Sequence, residues 1–164
     1  MNGAHLHLLL NHVPVLGIVF GLALLAFAML RKDGSLARVS LGVFVIARLA
    51  AGAVYLTGES AEDVVEGLPD VSEARIEMHE DAGLYPLLAS GALGLVGLGG
   101  LLAFRKKPLP TGFTATVLVL ALAASSVMAW TANLGGQINH PEIRSGAPPA
   151  TEEASQPVRY EEDD

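Results

Sequence analysis

The residues best suited to chemistry in this sequence are its five histidines, which lie beside the ends of long apolar segments. His5, His7 and His12 stand at the head of the first segment, whereas His79 and His140 border later ones. Neutral imidazole is the commonest protein ligand for metal ions, and it titrates near physiological pH. If the apolar segments are membrane helices, their alternating direction places all five histidines on one side of the membrane. The pattern therefore predicts a histidine site at one end of a helical bundle.

Helical spacing divides the first three histidines between two faces. His5 and His12 are seven residues apart and share one face, whereas His7 shares a different face with Asn11. Pro14 lies early in the same segment. A proline is tolerated in the first turn of a helix, but further along it frees a carbonyl group and bends the helix.

Polar residues also recur at helical spacing in the later segments. The spacing i, i+4, i+7 occurs twice, in His79, Gly83 and Pro86 and again in Asn133, Gln137 and His140. The pair Gly135-Gly136 is a candidate break in the last of these helices. Glu59 lies just after the second apolar segment, separated from it by Gly58. These polar faces and Glu59 are predicted to converge on one pocket.

The residues predicted to line this pocket allow two kinds of cofactor site. Paired imidazoles suit haem iron, which predicts a b-type haem with His12 and His79 as axial ligands. Imidazole combined with carboxylate suits zinc or non-haem iron, and that set would be His12, Glu59, His79 and His140. In a third alternative there is no cofactor, and the histidines only tolerate the headgroup region.

Arg48 also needs an explanation, because it lies near the middle of the second apolar segment. An arginine at the centre of a membrane costs about 2.5–3.5 kcal/mol on insertion scales. The four apolar segments contain no Asp or Glu that could pair with it. Arg48 is therefore expected to extend toward the membrane surface, to bond carbonyl groups freed by Pro86, or to meet an acidic group of a cofactor or partner.

The composition excludes several functional classes. The absence of cysteine rules out disulfides, thiolate zinc sites and iron–sulfur clusters. A formal net charge of −7 argues against nucleic-acid binding, which needs a basic face. Apolar residues make up 51% of the chain and charged residues 16%, which is unusual for a soluble protein.

Four apolar segments, at residues 8–30, 36–57, 82–104 and 112–134, organise the chain. Each has about 22 residues, the length that a helix needs to cross a hydrocarbon core. Only helices and closed barrels satisfy their own backbone in lipid, so the sequence predicts an all-α integral membrane four-helix bundle over residues 1–144. The first segment lacks the charged start and cleavage site of a signal peptide, and we expect it to be retained.

The basic residues predict the orientation of this bundle. They concentrate in the first and third connections, as Arg31, Lys32 and Arg38 and as Arg105, Lys106 and Lys107. The second connection, residues 58–81, holds nine acidic residues and one basic residue. Because Lys and Arg concentrate in cytoplasmic loops, both termini and the acidic connection are predicted to lie outside a bacterial cytoplasmic membrane.

The acidic connection is expected to contain ordered helix. Ser60-Ala61-Glu62-Asp63 resembles a capping box and predicts a short helix that ends at Glu66. Asp70-Val71-Ser72-Glu73 resembles a second one and predicts a helix from Val71 to Phe104, about 50 Å long. The tail from Ser145 onward is rich in Pro, Ala, Glu and Asp, and we expect it to be disordered.

Several of these motifs together resemble an uncharacterised family of bacterial four-helix membrane proteins. The matching motifs are His12-Val13-Pro14, Gly58-Glu59, His79, and Gly135-Gly136 followed by His140, within about residues 4–144. In that family the first helix carries His-Phe-Pro, so Val13 here replaces an aromatic residue. The ending before Pro141 also departs from the apolar-Tyr pattern of the family. The resemblance implies a fold and the location of a site, and no activity that could be transferred.

The function predicted from the sequence is haem-linked electron transfer within a membrane redox complex. The acidic connection opposes this function, because it would repel haem propionates unless Arg48, Arg75 or Arg144 reaches them. One alternative is a non-haem metal site for sensing, transport or hydrolysis. The other is a structural or assembly subunit that has no cofactor.

Overall fold

The polypeptide is helical throughout the part of the chain that the structure describes. The computed structural model describes residues 2–66, 68 and 71–145. Within these ranges the chain forms six α-helices and one short 3₁₀ helix, and no strand. They are α1 (Gly3–Leu10), α2 (His12–Arg31), α3 (Gly34–Leu56), α4 (Gly58–Val65), α5 (Glu73–Ala103), α6 (Thr111–Asn139) and the 3₁₀ helix Pro141–Ile143.

Four helical rods are long and apolar enough to cross a membrane: α1 with α2, then α3, α5 and α6. The predicted spans 8–30 and 112–134 lie within the first and last rods, whereas 36–57 and 82–104 each end one residue beyond α3 and α5. The all-α class is confirmed for the described residues. Large apolar side chains cover the outside of these rods as well as their inner faces. Leu16, Ile46 and Leu95, for example, are 64%, 64% and 70% exposed. A helix that is apolar all round suits a lipid environment.

In the first rod, formed by α1 and α2, one backbone hydrogen bond is missing, but the helix continues without a bend. Pro14 has no N–H, so the carbonyl group of Leu10 loses its usual partner four residues later. Asn11 nevertheless keeps right-handed helical backbone angles, φ −59° and ψ −28°. Pro14 falls in the first turn of α2, where a proline is tolerated. Helical periodicity therefore continues from α1 into α2, and this continuity sets which side of α1 faces the bundle.

The four rods form a closed ring in which α2 packs on α3, α3 on α5, α5 on α6 and α6 on α2. Glycines allow the close approaches. A Cβ added at Gly21 would lie 2.5 Å from Cε1 of Phe44, and one added at Gly97 would lie 3.2 Å from the carbonyl oxygen of Leu41. In a membrane no hydrophobic effect drives helices together. Small residues at the contacts let the backbones approach closely, and van der Waals packing then stabilises the association.

The two ends of the bundle differ in charge. At the basic end, where α3 begins, Asp33 Oδ1 accepts hydrogen bonds from the backbone N–H groups of Ser35 and Leu36, at 2.8 and 3.1 Å. Arg38 donates to the carbonyl oxygens of Phe104 and Lys107, at 2.9 and 2.6 Å, and so fastens α3 to the connection after α5. The opposite end, where α1 begins and α3 and α6 end, is called the histidine end below.

The connection between α3 and α5 is ordered in part, as expected, but its helices have different bounds. The short helix α4 begins at Gly58 rather than at Ser60, and Thr57 occupies its N-cap position without a side-chain capping bond. The long helix α5 begins at Glu73 rather than Val71, and its N-cap Ser72 makes no side-chain capping bond. The tail from Ser145 onward is predicted to be disordered. Its residues after Ser145 lie outside the described part of the chain.

The pair Gly135-Gly136 does not break α6, which continues to Asn139. Both glycines face other parts of the protein. A Cβ added at Gly135 would lie 2.9 Å from Cε1 of His79, and one added at Gly136 would lie 3.3 Å from Cδ1 of Ile143. Tertiary packing therefore holds the helix through two residues of low helix propensity.

Candidate histidine site

His7 lies on α1 and points toward the end of α3. Its Nδ1 atom is 3.1 Å from the carbonyl oxygen of Val54 and 3.3 Å from the Oγ1 atom of Thr57. The Thr57 hydroxyl itself donates to the carbonyl oxygens of Ala53 and Val54. The imidazole is half-buried. It therefore links the first rod to the last turn of α3.

His79 occupies a corresponding position between α5 and α6. Its Nδ1 atom lies 3.1 Å from the carbonyl oxygen of Thr131. The ring edge rests against Gly135, where an added Cβ would lie 3.2 Å from Nδ1 and 3.3 Å from Nε2. His79 reaches this position because α5 begins at Glu73, before the predicted span of residues 82–104, so His79 lies on that helix.

The two imidazoles have the same hydrogen-bonding pattern. A carbonyl oxygen can only accept, so Nδ1 is the protonated nitrogen of each neutral ring. Nε2 then keeps its lone pair, which is the state in which histidine binds a metal. His7 and His79 both lie at the histidine end, His7 on α1 and His79 on α5. This His7–His79 pair therefore brings two nitrogen donors, each fixed by a backbone carbonyl group, to the histidine end.

Buried polar atoms without a partner lie on the residues next to this pair. The Oδ1 atom of Asn11, one turn after His7, and the Oγ1 atom of Thr131 are buried and have no hydrogen-bond partner among the described residues. Thr131 is only 6% exposed, and its carbonyl group is the one that binds His79. A buried polar group without a partner is costly, which is typical of places where a ligand or an ordered water binds.

The other residues predicted for the site lie apart from the His7–His79 pair. His12 is exposed on α2, His5 is exposed on α1, and Glu59 is exposed on α4. His140 follows α6 and is exposed, with Nδ1 2.8 Å from Oε1 of Glu142. A hydrogen bond from its own backbone, and then the one from His140, hold the pKa of Glu142 below its usual range. In the described part of the chain, no three His, Asp or Glu side chains are grouped closely enough to hold a metal ion.

The sequence pattern favours His12 over His7 as a ligand, although it also contains a signal for the inward position of His7. The buried face of α2 includes Pro14, Ile18 and Gly21. Extending the same helical spacing backward by three and then four residues reaches Asn11 and His7. That extension is valid only if the helix continues past Pro14, which the backbone of Asn11 shows.

Carboxylates crowd the surface near the His7–His79 pair. The helix α4, which packs on α1, carries several of them, and Glu80 follows His79 on α5. Partial burial raises the pKa of Glu62, and the negative charges of Glu80, Glu66, Asp63 and Glu59 raise it further. The histidine end therefore carries a strongly negative rim.

A hydrogen-bonded chain closes the same end between α5 and α6. The Arg75 guanidinium donates to Oε1 of Gln137 at 2.6 Å, and the Gln137 amide donates to Oδ1 of Asn133 at 2.7 Å. Arg144 donates to the carbonyl oxygens of Gln137 and Ile138, at 2.8 and 3.0 Å, and so caps the end of α6. The polar face predicted on the last helix thus has a structural partner in Arg75.

Arg48 lies in a groove between α3 and α5 whose walls are glycines. A Cβ added at Gly94 would lie 2.6 Å from the Cβ of Arg48, and one at Gly91 would lie 3.5 Å from Nε. The Nη1 atom lies next to Gly52, one turn further along α3. The side chain therefore extends toward the histidine end, which is the first of the three arrangements expected from the sequence.

No protein-family model, curated protein or solved structure matches this chain.

Proposed function

We propose that this chain is a multi-pass protein of a bacterial cytoplasmic membrane that binds a b-type haem through His7 and His79. In this proposal it serves as an electron-transfer subunit of a membrane redox complex. The haem lies at the histidine end, on the outer side of the membrane. His7 takes the place that the sequence pattern assigned to His12.

The observation that carries the proposal is the shared state of the two imidazoles. In each, Nδ1 is bound to a helix carbonyl group and Nε2 is left as the donor. A hydrogen bond from the second ring nitrogen fixes the orientation of a metal-binding histidine and raises its basicity. Both histidines, on separate helices, have this hydrogen bond to a carbonyl group. Histidines that merely tolerate a membrane surface would not need it.

The donor set favours haem over an isolated metal ion. Haem iron needs only two axial ligands from the protein, whereas zinc takes three or four protein ligands. The unpartnered Thr131 hydroxyl provides a buried polar group beside His79, and Gly135 lets the imidazole lie close against the backbone of α6. When bound, the haem iron would cycle between two oxidation states and so carry one electron.

The charge distribution supports the outward orientation. The basic end carries the six Lys and Arg residues of the two short connections. Such residues remain on the cytoplasmic side of bacterial membranes. The histidine end would then face the outside, where the negative rim would attract a positively charged redox partner.

The test is the absorption spectrum and metal content of the full chain, produced with a haem supply and purified in mild detergent. We expect a Soret band, and loss of most haem in His7→Ala and in His79→Ala. His5→Ala and His140→Ala are matched controls, because both histidines are exposed, and they should keep their haem. Loss in His12→Ala with retention in His7→Ala would instead restore the ligand pair inferred from the sequence.

Other results of the same experiment contradict the proposal. Zinc or iron without a Soret band would support a non-haem metal site. If the protein shows no Soret band and no bound metal after haem supply, the result would support a structural subunit. Equal haem content in all five histidine variants would mean that the His7–His79 pair does not ligate it.

A further inference from the structure

The Arg48 guanidinium is a charge inside an apolar span that no other residue in the described part of the chain neutralises. Among the described residues it has neither a hydrogen-bond partner nor a salt bridge. The four apolar segments contain no carboxylate. Charged residues within membrane spans are costly, and they mark sites where a ligand or partner supplies the missing interaction.

The groove that holds Arg48 opens at the outer surface of the bundle. Gly52 and Gly91, which flank the guanidinium, are both partly exposed. The neighbouring side chains on this surface are apolar and open, since Leu49 is 69% and Leu88 is 60% exposed. A molecule that reaches Arg48 from this side therefore approaches through the lipid-facing surface.

The depth of Arg48 fits the polar end of a lipid better than a soluble molecule. Arg48 lies eight residues before the end of α3, which corresponds to about 12 Å along the helix. Its side chain covers part of this distance, because it extends toward the histidine end over Gly91 and Gly52. The guanidinium is thus close to the boundary between hydrocarbon and headgroups, where a lipid phosphate can reach it.

We propose that Arg48 binds the phosphate group of an anionic phospholipid in the glycine-lined groove between α3 and α5. The guanidinium donates hydrogen bonds to phosphate oxygens, and the planar group can make two of them in parallel. Glycines at positions 52, 91 and 94 make room for the Arg48 side chain, and the partly exposed Gly52 and Gly91 leave its guanidinium accessible to the headgroup. This site is independent of the haem proposed at His7 and His79.

The test uses native mass spectrometry on the delipidated full chain, titrated with phosphatidylglycerol. We expect one phosphatidylglycerol to bind the wild type, and to bind Arg48→Leu about tenfold more weakly, because charge-assisted hydrogen bonds are lost. Arg48→Lys should bind with intermediate affinity, since an ammonium group keeps the charge but not the paired geometry. Arg105→Leu is the matched control, an exposed arginine at the basic end whose loss should leave this binding unchanged.

Two further measurements distinguish a lipid phosphate from free phosphate, and an anionic lipid from a zwitterionic one. Inorganic phosphate should not displace the lipid, and phosphatidylcholine should bind less tightly than phosphatidylglycerol. The melting temperature provides a second measurement that does not depend on recovery of a lipid complex. Phosphatidylglycerol should raise it in the wild type and in Arg105→Leu, and much less in Arg48→Leu.

Three results would overturn the lipid site. One is equal phosphatidylglycerol binding by the wild type and Arg48→Leu. Another is loss of haem from Arg48→Leu with lipid binding retained, which would assign Arg48 to a haem propionate. The third is loss of a co-purifying protein with lipid binding retained, which would assign Arg48 to the carboxylate of a partner subunit.

Discussion

The Nδ1 atom of His79 lies 3.1 Å from the carbonyl oxygen of Thr131, and this contact ties α5 to α6 at the histidine end. Gly135 makes the contact possible, because the imidazole occupies the space where a side chain would otherwise lie. One interaction thus decides two properties of the site. It orients the ring, and it leaves Nε2 as the nitrogen that can bind a ligand.

The Gly135→Ala variant tests this packing directly. The added methyl group would lie 2.9 Å from Cε1 of His79, so the ring must move and its bond to Thr131 must weaken. We expect a loss of about 1–3 kcal/mol in the free energy of unfolding, as for other overpacked contacts. Unfolding in mixed micelles would measure this free energy, and the haem content of the variant would be measured separately.

A second glycine of the bundle provides the control for Gly135→Ala. Gly99 has open space where a Cβ would stand, and it is exposed. Gly99→Ala should therefore be neutral or slightly stabilising, since alanine has the higher helix propensity. Equal stability of the two variants would contradict the close packing of His79 on Gly135.

The bond between Arg75 and Gln137 is expected to contribute to the junction of α5 and α6. A double-mutant cycle with Arg75→Ala and Gln137→Ala should give a coupling energy of about 0.5–1.5 kcal/mol. Gln137→Ala alone should cost more than Arg75→Ala, because the Gln137 side chain also bonds Asn133. The free energy of unfolding of the four proteins gives the result.

A cycle between distant residues serves as the control for this coupling. Arg105 lies at the basic end, far along the bundle from Gln137. Arg105→Ala and Gln137→Ala should therefore be additive within about 0.5 kcal/mol. Additivity of the Arg75 and Gln137 variants as well would mean that their hydrogen bond has no net value.

The raised pKa of Glu62 allows a prediction of how the stability of the protein changes with pH. Its pKa in the folded protein is raised above the usual 4.5, so the folded state binds more protons than the unfolded state in that range. Stability should then fall as the pH rises from about 4.5 through the folded pKa, and remain lower above it. Glu62→Gln removes this penalty and should raise the melting temperature at pH 7.

The matched variant for Glu62 is Glu77→Gln, which removes a charge from the exposed face of α5. Glu77 is not among the carboxylates whose charges raise the pKa of Glu62. We expect the two Gln variants to differ at pH 7, and the Glu62→Gln and wild-type melting temperatures to converge below pH 4.5. A constant difference across the whole range would show that charge crowding at Glu62 is not the cause.

The sequence predicted the four rods well, because about 22 apolar residues in a row leave few alternatives. Their ends were harder to predict. The helix α4 starts at Gly58, two residues before Ser60, because the backbone of Thr57 keeps right-handed helical angles and its carbonyl group accepts from the N–H of Ala61. The glycines at 135 and 136 stay helical because His79 and Ile143 pack against them, and local propensity contains no information about such contacts.

Which histidines face inward is harder to predict than the fold, for a related reason. The sequence places His79 on an inner face, which its helix neighbours Gly83 and Pro86 mark. It ranked His12 above His7, because the direction in which each points depends on the backbone at Asn11 and Pro14. A proline leaves two outcomes open, a bend or a continuous rod, and the continuous rod turns His7 inward.

Single-cysteine labelling of intact cells tests the orientation that the proposed function requires. The chain has no cysteine, so each introduced thiol is the only one. Ser72 precedes α5 at the histidine end, and Ser35 lies in the first turn of α3 at the basic end. A membrane-impermeant maleimide should label Ser72→Cys in intact cells and Ser35→Cys only after permeabilisation, because the basic connections are expected to stay in the cytoplasm. The reverse pattern would place the His7–His79 pair on the cytoplasmic side, and an electron partner outside the membrane could then no longer reach it.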